Sequence, residues 1–195
     1  MFMRSLAAIL LAVTASVSAA SPNSFVVMQD DLARLKADFN AAADDVRLIF
    51  IVGPTCAVCL RGLADLNRNL LDGNDNPRLW TQIVHVPTLG ATEQHVPDAA
   101  ALVTGGAHVT NYWEDSGIIG RLYEATLGFD DVYAWDVWMV YKPGVRWEGR
   151  LPPKPDFAMH QLRSHPKVSK LMPLLDSKQF AAVVNGYLAE LAQSQ

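Results

Sequence analysis

The sequence predicts an α/β domain whose mixed sheet is covered by helices on both faces. Three observations carry that class. β-rich runs at Val46–Val52 and Leu79–Pro87 flank an amphipathic helical stretch, the order of a parallel β-α-β unit. A strand-then-helix pattern recurs at Ala107–Trp113 and Ser116–Leu127. The apolar run Trp135–Tyr141 is followed by Lys142-Pro143-Gly144, a turn that sends the chain back antiparallel. With 195 residues, half of them hydrophobic and 18% charged, the chain has enough apolar material for one full core.

Taken in order, Met28–Ala43 has Leu32, Leu35, Phe39 and Ala42 on one helical face, with Asp30 and Asp31 in its first turn. The strand Val46–Val52 follows and meets Gly53-Pro54. A helix then opens at Cys56-Ala57-Val58-Cys59, and Cys59, Leu63, Leu66 and Leu70 recur at helical spacing. Asp72–Pro77 has loop composition, and Leu79–Pro87 is the next strand. Pro97 starts a short helix to about Val103, ended by Gly105-Gly106. Ala107–Trp113 is a strand, and Ser116–Leu127 a helix stopped by Gly128. After Trp135–Tyr141, Val145-Arg146-Trp147 is expected as the hairpin partner. Gly149–Pro173 carries five prolines and is expected to be irregular, with at most one short helix. Asp176 or Ser177 caps a closing helix whose face is Phe180, Val183, Val184, Tyr187, Leu188 and Leu191.

Cys56 and Cys59 are the only cysteines of the chain. Strand, tight turn, then C-x-x-C at a helix start is an arrangement that activates a thiol. Free N–H groups and the helix dipole stabilise a thiolate on the first cysteine. A second cysteine one turn on can attack a mixed disulfide formed by the first. As a mere staple the pair would close a four-residue loop, worth about 2 kcal/mol, little for a domain of this size. Metal binding is the other chemistry open to such a pair.

Residues 1–20 have the composition of an export signal. Arg4 lies in a short leading region, Leu6–Val17 is a small-residue apolar core, and Ser18-Ala19-Ala20 offers a cleavage site. About a dozen apolar residues fall short of a bilayer span, so membrane attachment is expected only through an uncleaved signal. The mature protein, residues 21–195, is expected in a bacterial periplasm, where disulfides persist. A formal charge of −4 without a Lys/Arg cluster argues against nucleic acid as a partner.

The segment Gly53-Pro54-Thr55-Cys56-Ala57-Val58-Cys59, in its strand-to-helix setting, resembles the thioredoxin superfamily, over roughly Val46–Trp147 plus the last helix. Tyr112–Gly117 before a helix, and Val140–Gly144, resemble the branch holding exported TlpA-type reductases, peroxiredoxins and Sco-type copper assembly proteins. The resemblance implies a single thioredoxin-like domain over 21–195, with an exposed nucleophile at Cys56 and a buried resolving thiol at Cys59. It also implies a periplasmic thiol–disulfide oxidoreductase that acts on protein thiols and disulfides, is reset by a recycling partner, and uses no cofactor. Two positions depart from the family. Asp136 stands where thioredoxins have a cis-proline facing the cysteines. Phe50 stands near the position of the buried carboxylate that assists the resolving cysteine.

Pro54, Thr55, Trp135 and Asp136 are the expected substrate-facing residues. A carboxylate at Asp136 would disfavour the Cys56 thiolate, or else Asp136 caps local backbone N–H groups. Strand alternation pairs Trp135 with Val137 on one face and Asp136 with Trp138 on the other, which puts at least one Trp in the core. Trp113, Trp135 and Trp138 are candidates for a surface around Cys56, the alternative for each being a buried structural role. The histidines show no zinc-type spacing. The alternative function is a soft-metal (copper) carrier holding the ion through Cys56, Cys59 and His160, with Met159 beside it.

Overall fold

The computed structural model describes residues 24–28 and 32–194, so residues 1–20, expected to be an export signal, and Asp30 and Asp31 lie outside the described residues. The chain runs β1 (Phe25–Met28), α1 (Ala33–Ala41), β2 (Val46–Val52), α2 (Ala57–Leu66), β3 (Leu79–His85), α3 (Val96–Ala100), β4 (His108–Glu114), α4 (Ile118–Leu127), β5 (Val137–Tyr141), β6 (Phe157–His160), α5 (Pro166–Leu171) and α6 (Ser177–Gln193). The six strands form one mixed sheet in the order β1-β4-β3-β2-β5-β6. The first four of these are mutually parallel, while β5 runs antiparallel to β2 and β6 antiparallel to β5. This is the expected α/β class, a thioredoxin-like mixed sheet with helices on both faces.

Every residue of β2 is buried, because the strand sits mid-sheet with a helical layer above and below. On one face Ile49 and Ile51 pack with Leu35 and Phe39 of α1 and Ile119 and Tyr123 of α4. On the other, Leu48, Phe50 and Val52 pack with Cys59, Leu63 and Leu66 of α2 and Phe180 and Val184 of α6. Asp176 caps α6 as expected, its carboxylate accepting from the N–H groups of Lys178 and Gln179 at 3.0 Å. The α2 axis continues through a π-helical turn at Asn67–Leu71.

Two elements differ from the sequence expectation. Phe25–Met28 is an edge strand on β4, a four-residue segment too short to carry a period of its own. The hairpin partner of β5 is Phe157–His160, inside the segment expected to be irregular, and not Val145–Trp147. The Val145–Trp147 stretch is drawn across the α1 face instead. Arg47 donates to the carbonyls of Lys142 and Val145, each at 2.6 Å, and Asn40 accepts from the Trp147 N–H at 2.8 Å and donates to its carbonyl at 3.0 Å. The Trp147 ring packs edge-on against Phe39 and Tyr123. The chain then returns through Asp156, whose carboxylate accepts from the Lys142 N–H at 2.8 Å, and β6 pairs from there.

Candidate active site

β2 delivers the chain to Gly53, at the carboxyl end of a parallel strand, where open α/β sheets place their sites. The Cys56 N–H donates to the Gly53 carbonyl at 3.0 Å, closing the turn. Cys56 is itself the N-cap of α2: its backbone is extended (φ −82°, ψ 109°), and its Sγ accepts from the Cys59 N–H at 3.3 Å. The sulfur thus occupies the seat of a capping oxygen, directed at the free N–H groups of the first turn. Both cysteines are free thiols.

The two thiols are electrostatically unequal. Cys56 is lowered to about 6, chiefly by the hydrogen bond from the Cys59 thiol, with help from the backbone N–H groups of Cys59 and Val58 and the charge of Arg61. Cys59 is raised far above its ordinary value, first because that same bond holds its proton, then by burial, then by the charge of Asp136. Cys59 is fully buried and Cys56 retains 6% exposure. The nucleophile expected to be exposed is therefore a nearly covered sulfur, with Trp135 packed against its cluster.

The remaining candidates are distributed unevenly. Pro54 is buried in the turn before Cys56. Thr55 is half-buried, its hydroxyl 3.4 Å from the carbonyls of Thr88 and Leu89. Trp135 is half-buried at the site. Trp138 is fully buried against Phe50, and Trp113 packs with Ala91 and Val96 in a separate cluster. Asp136 lies before β5 with φ 52°, which stops the strand short of Trp135 and sets aside the alternation expected there.

Asp136 is 3% exposed, and its Oδ1 is buried without a hydrogen-bond partner; its backbone carbonyl accepts from the Gln161 N–H at 3.0 Å. No backbone N–H among the described residues caps its carboxylate. One carboxylate oxygen and the sulfurs of Cys56 and Cys59 all lie within 4.8 Å of one another. Burial first, and the Cys56 charge second, raise its carboxyl to about 7. The carboxylate is thus coupled to the Cys56 charge, as expected, and it raises Cys59 as well.

His160, offered for a soft-metal set, is not brought to the sulfurs. It sits opposite Val137, whose side chain packs on the α1 and α4 face, while its neighbour Met159, opposite Trp138, lies in the cysteine cluster. Its Nδ1 accepts from the Leu162 N–H at 3.0 Å, and its Nε2 lies 3.4 Å from the Ser169 hydroxyl.

Sequence reasoning missed Thr88, Leu89 and Gln161. Thr88 and Leu89 form the loop that meets Thr55, and Leu89 is 67% exposed. Gln161 and Trp138 press on α2 at Gly62, where a Cβ would lie 2.4 Å from Gln161 Oε1 and 2.5 Å from the Trp138 ring. Gly53 has the same reason: a Cβ there would fall 2.3 Å from Thr88 Oγ1 and 3.3 Å from the Trp135 ring. Only the glycines themselves were visible signals. A surface cavity of about 510 Å³, lined by Pro87, Thr88, Ser116, Arg121 and Tyr133 among others, borders this loop. Compared with known proteins, the chain matches no family model, no curated protein and no solved structure.

Proposed function

We propose that this protein is a thiol–disulfide oxidoreductase of the thioredoxin type that acts on partner proteins through Cys56 and Cys59. The single observation that supports this most is the inequality of the two thiols. Cys56, seated on the α2 N-terminus and lowered to about 6, is a thiolate at neutral pH, while Cys59 three residues on keeps its proton. Thiolate attack by Cys56 on a partner disulfide, followed by attack of Cys59 on the mixed disulfide, leaves the protein oxidised and the partner reduced. No organic cofactor enters these steps; a second protein resets the pair. Partner contact falls to the exposed Ala57 and Leu89 with the half-buried Thr55, Val58 and Trp135. Export to the periplasm, read from residues 1–20, belongs to the same proposal.

The test is the reduction potential of the pair, from equilibration in defined thiol–disulfide buffers and alkylation of the free thiols. A value near about −270 mV makes the protein a reductant, and one near about −120 mV an oxidant of its partners. A pair that resists reduction across that range overturns the reading in favour of a structural disulfide. Thiols silent to alkylation until a chelator is added overturn it in favour of a metal carrier.

A further inference from the structure

We propose that Asp136 is the proton acceptor that turns Cys59 into a nucleophile for the resolving step. The inference rests on the oxidoreductase reading and adds the residue that makes its second half possible.

Cys59 has to attack as a thiolate, yet it is fully buried and holds its proton strongly. Something beside it has to take that proton. The carboxylate of Asp136 lies within 4.8 Å of both sulfurs, almost wholly shielded from water, with Oδ1 free of any hydrogen bond. A buried, unpartnered carboxylate oxygen is costly to the fold, and so is a left-handed φ on a non-glycine residue; both occur here on one side chain. The titratable groups facing Asp136 from α2 are Cys56 and Cys59. Arg61, also on α2, acts by charge on Cys56. From β6, His160 is turned to the other sheet face and its ring nitrogens are engaged. From β5, Trp138 brings only an indole N–H. Among the described residues Asp136 is thus the one base at hand.

The charges also set the timing. While Cys56 is a thiolate, its charge helps hold the Asp136 carboxyl protonated, at about 7. Once Cys56 is spent in a mixed disulfide that charge disappears, and Asp136 ionises more readily beside Cys59. The proton of Cys59 passes to the Asp136 carboxylate, and Cys59 Sγ attacks Cys56 Sγ. The Cys56–Cys59 bond forms as the bond to the partner sulfur breaks, and the partner leaves as a thiolate that takes up a proton. Over both steps the Cys56 thiolate and the Cys59 thiol lose two electrons and the one proton of Cys59, and the partner disulfide leaves as two thiolates that take up that proton, returned by Asp136, and one from solvent.

The test uses the reduced full chain with 5,5′-dithiobis(2-nitrobenzoate), which releases one coloured thiolate when Cys56 attacks and a second when Cys59 resolves. In Asp136→Asn, which tolerates the left-handed backbone, the ratio of second to first rate is expected to fall about 100-fold. The pH profile of the second step should also shift from a rise near neutrality to a continuing rise with hydroxide. Asp136→Gly suits the same backbone and opens space beside Cys59, so added formate should accelerate its second release. A ratio and profile equal to the wild type's, or a Gly variant indifferent to formate, overturns the role of Asp136 and leaves the oxidoreductase reading standing. A wild-type chain that never releases the second thiolate overturns both.

Discussion

Arg47 and Asp136 stand at opposite ends of the β2–β5 pair, Arg47 opposite Tyr141 and Asp136 just before Val137. Each is an ionisable side chain with almost no exposure to water. Arg47 is saturated: its guanidinium donates to the carbonyls of Lys142, Val145, Asp45 and Phe39 and lies 4.3 Å over the Phe39 ring. Burial lowers it only to about 10, so it stays a cation at neutral pH. Asp136 has no such shell, and its ionisation is pushed to about 7 by the same physics. A charge that ties loops together is fully partnered; a charge left short of partners, beside two sulfurs, is free to exchange a proton.

Four substitutions sharpen or break this contrast. The largest effect is expected for Arg47→Met, which strands the loop carbonyls that Arg47 serves. It should cost about 3 kcal/mol or more in urea unfolding while the thiol reactivity of the folded fraction stays at the wild-type level. A loss under about 1 kcal/mol would show that water replaces the guanidinium and that the Arg47 end is no clamp.

Gly62→Ala comes next. Its new Cβ meets the buried Trp138 ring and Gln161 Oε1, so overpacking of about 1–3 kcal/mol is expected, again by urea unfolding. Because Gly62 lies three residues after Cys59, the same variant should also change the alkylation rate of Cys59. Wild-type stability with wild-type alkylation would mean that α2 is not held tightly on β5.

Asn40→Ala removes the paired bonds to the Trp147 backbone and is expected to cost about 1–2 kcal/mol, with unaltered cysteine chemistry. An altered Cys56 reactivity would break the separation of the two ends.

The smallest and only stabilising change is expected for Asp136→Asn. The folded carboxyl is raised above its ordinary value of 3.8 to about 7, so the folded state binds more proton than the unfolded between those values. Stability contributed by this group is full below about pH 4 and is lost as pH rises through about 7. Asn abolishes that loss, so the variant should gain on the order of 1 kcal/mol at pH 8 and flatten the stability profile between pH 4 and 7. Cys56 runs the other way: lowered to about 6, it adds stability as pH rises from about 6 to 9, and its alkylation rate should level off above about pH 7. A thiol whose reactivity climbs to pH 9 would remove the asymmetry on which the proposed function rests.

Much of this molecule follows from the sequence alone, wherever the signal is local. The β-rich runs of β2, β3 and β5, the 3.6-residue face of α6 and the Gly53-Pro54 break before Cys56 each fit within about a dozen residues, and local periodicity decides them. The pairing of Cys56 with the α2 N-terminus follows from the C-x-x-C spacing in the same way. Tertiary structure decided whatever depends on a distant partner. β6 exists because β5 offers an open edge and Arg47 and Asn40 pull Val145–Trp147 elsewhere, which no property of Phe157–His160 announces. His160 faces away from the sulfurs because its register with Val137 fixes its side of the sheet, and a shift of one residue would have reversed it. Asp136 became a buried carboxylate beside two thiols only when β5 was laid antiparallel on β2, bringing residue 136 to the turn that carries residues 56 and 59. A side chain's period is written in its neighbours along the chain, but its water, its partners and its ionisation are set by segments eighty residues away.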